Sequence, residues 1–144
     1  MIEFFSDTAF QLDKAAEEKL IPVIENIFSD YKQSLNYLHV IFLDDEQLLQ
    51  INKEFLEHDY YTDIITFNYA EEPGVIEAEL YISVERVREN ASTIGVSFDQ
   101  ELNRVIIHGV LHLCGYEDST DALKKEMQLA ENKYINLIVS RETL

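Results

Sequence analysis

The stretch His108-Gly109-Val110-Leu111-His112-Leu113-Cys114-Gly115-Tyr116-Glu117-Asp118 carries the densest chemistry in the chain. Four residues of α-helix turn through about 400°, so His108 and His112 sit one turn apart on one face and their imidazoles can converge on a point. Val110, Leu111 and Leu113 surround the pair with apolar surface. Gly115 lets the chain leave the helix and turn back, which puts Asp118 within reach of the same point. The spacing H-x3-H-x2-G-x2-D is that of a zinc signature in which one helix supplies two His and a third ligand follows a glycine. Two features set this copy apart. The third ligand is Asp rather than His, and the residue after His108 is Gly, where peptidases of the H-E-x-x-H type keep their general-base Glu. The stretch therefore predicts a divalent metal on His108, His112 and Asp118 and speaks against ordinary peptidase chemistry. Glu117 is the competing carboxylate, but it lacks the signature offset. Cys114 is the competing soft ligand, and it reads better as a buried apolar side chain.

Around this stretch the chain alternates strand and helix signals. Ile2–Phe5 reads as a short strand. Asp13 caps a helix to about Phe28, with Pro22 inside it expected to kink or split it. Leu35–Leu43 is the clearest strand, apolar enough to suggest burial on both faces. Asp44 or Asp45 caps a helix to about Phe55, with Leu48, Leu49, Ile51 and Phe55 as its stripe. Ile64–Tyr69 and Glu79–Ser83 read as strands joined by a loop or hairpin, and Val84–Thr93 as a helix. Ser97 and Gln100 form a capping box for a helix over Phe98–Leu113, which Gly115 ends. A last helix spans about Asp121–Val139, burying Leu123, Met127, Ala130, Tyr134, Leu137 and Ile138. Strands and helices are mixed, with more helix than strand, which points to an α+β or α/β single domain over residues 1–144.

The chain has 144 residues, 28 acidic against 11 basic, and a formal net charge of −17. Its 47% hydrophobic content excludes a disordered acidic tail. One cysteine forms no intramolecular disulfide, which suits a reducing compartment. The N-terminus lacks a secretory pattern, and no apolar run approaches the roughly 18–20 residues of a membrane span. These features point to the cytoplasm, with no membrane partner. The acidity repels nucleic acid at long range.

HGVLHLCGYED resembles the H-G-x-L-H-L-x-G-Y-D-H signature of the YbeY family of rRNA maturation factors. The segment Asn52–Phe67 (NKEFLEHDYYTDIITF) is similar to that family's N-x-x-Y-R-x-x-x-x-x-T-D-V-L-S-F, and Ala78–Ser83 (AELYIS) to its G-D-I-x-I-S strand. The resemblance implies an α+β domain with one mixed sheet of about four strands, about five helices and a metal at the mouth of a cleft, and a metal-dependent endoribonuclease acting on single-stranded RNA in ribosomal RNA processing. It also implies a ribosomal particle as substrate, a ribosome-associated protein partner and one divalent metal, zinc first. Asp118 stands where the family has its third His, so another transition metal becomes more attractive. Leu56 stands at the family's cleft arginine, the residue that would stabilise phosphate charge. His58, two residues on, can carry charge or a proton in its place. Asp63 can orient a ligand His or simply form the turn before the strand. Arg104, one turn before His108, can point to a phosphate, and Arg86 and Arg88 can extend a basic track. His39, mid-strand, reads as a structural His. Two other readings fit the same residues: a non-catalytic assembly factor with a structural metal, and a metal-dependent hydrolase of another substrate, such as a peptide.

Overall fold

The computed structural model describes residues 1–142, with side-chain surroundings through Ile138. The elements in order are β1 (Ile2–Ser6), α1 (Lys14–Asp30), β2 (Ser34–Leu43), α2 (Asp45–Leu56), β3 (Ile64–Asn68), β4 (Val75–Ser83), α3 (Val84–Ile94), α4 (Phe98–Leu113) and α5 (Asp121–Glu142). The strands form one mixed sheet of order β1-β2-β4-β3. β1 and β4 flank β2 in parallel, and β3 runs antiparallel to β4. This is the α+β architecture expected, with four strands and five helices among the described residues.

One face of the sheet, carrying Leu38, Val40, Phe42, Ile76, Ala78, Leu80 and Ile82, is buried under α1, α3 and α4, with α5 packed on α1 and α4. The opposite face is covered only at one end, where Leu48 of α2 meets Leu43 and Ile65. β2 is therefore not buried on both faces: its burial alternates, because a single helix cannot roof the second face. Phe55, placed on the α2 stripe by periodicity, is 63% exposed for the same reason, while Asn52 is buried instead.

Local chemistry explains most boundaries. Asp13 caps α1 by accepting from the Ala16 N–H. α1 runs through Pro22 without a break, so the expected split does not occur. Asp44 is the cap of α2, in a capping box with Gln47. The carboxylate of Asp45 instead accepts from Ser83 and Arg86. β4 starts at Val75 rather than Glu79, since Ile76 and Ala78 already face the core while Glu77 and Glu79 point outward. Leu137 lies outside the buried side of α5, at 36% exposure. Glu131, at 4%, faces inward on α5 together with Met127, Ala130, Tyr134 and Ile138.

α4 lies very close to the sheet. A Cβ on Gly109 would sit 2.6 Å from Ile64 Cδ1 and 3.2 and 3.3 Å from the Leu80 methyls. Position 109 thus faces β3 and β4, and a glutamate there would run into the sheet rather than enter a cleft. The absence of the peptidase base has a packing cause.

Candidate metal centre

α4 presents His108 and His112 side by side at its last turns. Their Nε2 atoms are 2.9 Å apart. Gly115, at φ +102°, turns the chain back beneath them, and Asp118 Oδ2 arrives 3.4 Å from His108 Nε2 and 3.6 Å from His112 Nε2. These three donors are the one group of its kind among the described residues. Ligand atoms 2.0–2.1 Å from a tetrahedral ion lie roughly 3.3 Å apart, so the spacing fits three corners of such a centre. Two imidazoles and a carboxylate form a donor set that a divalent metal accepts.

The other ring nitrogens explain why both Nε2 atoms face inward. His108 Nδ1 lies 2.6 Å from Glu131 Oε2, and His112 Nδ1 lies 2.8 Å from the Tyr116 carbonyl. Each Nδ1–H donates to a fixed acceptor, which leaves each Nε2 lone pair free for a metal. Glu131 is itself held by Arg104 Nη1, 2.8 Å from Oε1. Burial pushes the His108 pKa down, but the hydrogen bond and charge of Glu131, with Asp118 and Asp63, outweigh it and the net direction is up. Burial also drives the carboxyl of Asp63 up against the pull of His108, and that of Glu101 up against the pull of Arg104. The three donors open into a cleft of about 770 Å³ that also reaches His58, Tyr60 and Asp63.

The family model described as Endoribonuclease YbeY matches residues 4–139. The chain belongs to the endoribonuclease YbeY family. It is 43% identical over 134 residues to Endoribonuclease YbeY of Cytophaga hutchinsonii, covering 93% of this chain and 92% of that one. To Endoribonuclease YbeY of Flavobacterium psychrophilum it is 40% identical over 137 residues, covering 95% and 96%. A solution structure of a Thermotoga maritima protein shares the fold, with a TM-score of 0.70 at 28% identity over 99% of this chain and 92% of that chain.

Other residues singled out by the YbeY resemblance fall in different places. Asp63 and His58 line the cleft, as does Leu56. Neither Asp63 nor His58 touches a ligand His within hydrogen-bond distance, so Asp63 does not orient a ligand directly. Glu131 does so instead. Arg104 is engaged by Glu131 and, with Lys124, lines an adjoining cavity that shares Asp63, His108 and Asp118 with the cleft. Arg86 and Arg88 do not extend it: Arg86 pairs with Asp45 and Glu89, and Arg88 lies over the Phe98 ring at 4.2 Å. Glu117 is an exposed loop carboxylate. Cys114 caps α4 among apolar side chains, where burial pushes its thiol pKa up to about 12, and it is not among the three converging donors. His39 sits on the sheet against Phe5 and Tyr37, away from the centre. Glu131 went unread in the sequence because it lies 23 residues from its partner His108. Its one signal is a charge set into the buried stripe of Met127, Ala130, Tyr134 and Ile138.

Proposed function

We propose that the protein is a metal-dependent endoribonuclease that cleaves single-stranded RNA during ribosomal RNA maturation. The observation that carries this reading is the trio His108, His112 and Asp118, three converging donors that line an open cleft. Family membership supports the choice of RNA, and the packing of Gly109 weighs against a peptidase.

His108, His112 and Asp118 would hold the ion; two imidazoles and a carboxylate suit zinc, and the carboxylate also suits harder divalent metals. Bound there, the ion would supply Lewis acidity toward a phosphoryl oxygen or a water. Glu131 and the Tyr116 carbonyl keep the two imidazoles aimed. In this reading Asp63, whose carboxyl pKa burial raises, takes a proton at the cleft wall, and His58, on the same cleft as Leu56, meets a phosphate in place of the arginine. Arg104 and Lys124 line only the adjoining cavity and no Lys or Arg lines the cleft itself, so on a chain of net charge −17 free RNA binds weakly and salt-sensitively. A ribosomal particle and a ribosome-associated protein partner then supply the docking, in the cytoplasm. No helix among the described residues is long and apolar enough to cross a membrane.

The test is cleavage of a labelled single-stranded RNA by protein that has been chelated and then reloaded. Activity should vanish with the metal, return on reloading, and stay absent in His112→Ala. Full activity of His112→Ala would end this reading.

A further inference from the structure

The cleft holds an aromatic surface that the metal chemistry leaves unused. Tyr60 is 56% exposed. Its ring stacks on that of His58, with centroids 5.1 Å apart and planes at 19°, and its hydroxyl lies 3.0 Å from His58 Nδ1. Both side chains line the same cleft as His108, His112 and Asp118. The pair is also anchored rather than dangling. Asn52, 1% exposed, accepts the His58 N–H on its carbonyl at 3.0 Å and donates its side-chain amide to the Tyr60 carbonyl at 2.8 Å. A buried residue thus clamps both ends of a turn whose side chains it leaves in solvent.

The charge around the cleft says what such a surface takes. Its walls carry Asp63, Glu117 and Asp118 and no Lys or Arg, and Arg104, in the adjoining cavity, is engaged by Glu131, so the walls around Tyr60 give phosphates little charge attraction. An exposed, pre-stacked ring pair binds through its flat face, and every nucleobase offers a flat face only when unstacked from its neighbours. We infer that Tyr60, supported by His58, is the platform on which one unpaired base of the RNA substrate stacks beside the metal centre. It therefore selects single strands over duplex. This rests on the nuclease reading above.

The experiment uses the metal-loaded full chain and a short single-stranded RNA carrying 2-aminopurine and cleavage-slowing phosphorothioate linkages. Binding to the parent protein should quench the probe. Tyr60→Ala leaves the backbone bonds to Asn52 in place. It should weaken binding roughly 5- to 150-fold, the range for one lost base–aromatic stack, and abolish the quench. On cleavable RNA it should raise KM more than it lowers kcat. Tyr60→Phe keeps the ring and should retain both binding and quench. The inference is overturned if Tyr60→Ala binds within about twofold of the parent with the same quench, or if Tyr60→Phe loses as much as Tyr60→Ala. If the parent protein binds and cleaves RNA but Tyr60→Ala is unchanged, only the platform fails. If the parent neither binds nor cleaves any single-stranded RNA, the nuclease reading falls and the platform with it.

Discussion

Replacing Glu131 by Gln should cost the centre most of its metal affinity, although Glu131 is not a ligand. The carboxylate accepts from two donors at once, His108 Nδ1 at 2.6 Å and Arg104 Nη1 at 2.8 Å. An amide has one acceptor and one donor, so it satisfies only one of them. If its oxygen turns to Arg104, its NH2 faces His108 Nδ1. The imidazole then relieves the clash by moving its proton to Nε2, the atom the metal needs. Loss of a partner of this kind lowers metal affinity about 10- to 100-fold, or roughly 1.4–2.7 kcal/mol. Competition against a chromophoric chelator reads the affinity directly, and circular dichroism of the metal-free protein confirms that the variant is folded. A folded Glu131→Gln protein that binds zinc within about twofold of the parent would refute the reasoning.

Three further outcomes follow from the same geometry. Asp63→Asn should raise the melting temperature of the metal-free protein at neutral pH while lowering cleavage. The buried carboxyl holds its proton more tightly folded than unfolded. Its stabilising contribution is complete below the unfolded carboxyl range, near pH 3.9, and is lost as pH rises through the raised folded pKa. Calorimetry should therefore show the gap between variant and parent closing on acidification, and a pH-independent gap would contradict this. Asp118→Ala should bind metal substoichiometrically, whereas Asp118→His, which restores the family's residue, should retain one ion per chain by elemental analysis. Gly109→Leu should destabilise the fold by about 1–3 kcal/mol in chemical denaturation, as a bulky side chain there runs into Ile64 and Leu80.

The centre's ligands were legible because a helix places residues four apart on one face and a glycine marks where the chain returns. What holds those ligands was not. Glu131 comes from another helix, and a lone charge within an apolar stripe looks like a solvated residue until the packing is known. The position of Arg104 one turn from His108 was readable, but its partner was not, so it looked free for phosphate. β4 hid its first half because Glu77 and Glu79 alternate with buried Ile76 and Ala78. The burial of β2 was overread for a related reason. Apolar residues fill both its faces, yet only α2 packs on the second.

X-ray absorption at the zinc edge of the loaded protein bears most directly on the central claim, a three-ligand centre with a corner open to the cleft. We expect two imidazole nitrogens, one carboxylate oxygen and one light donor from solvent, at about 2.0–2.2 Å, with no sulfur. A shell containing a sulfur near 2.3 Å would bring in Cys114 and close the site. That result would make the metal structural and contradict the catalytic account.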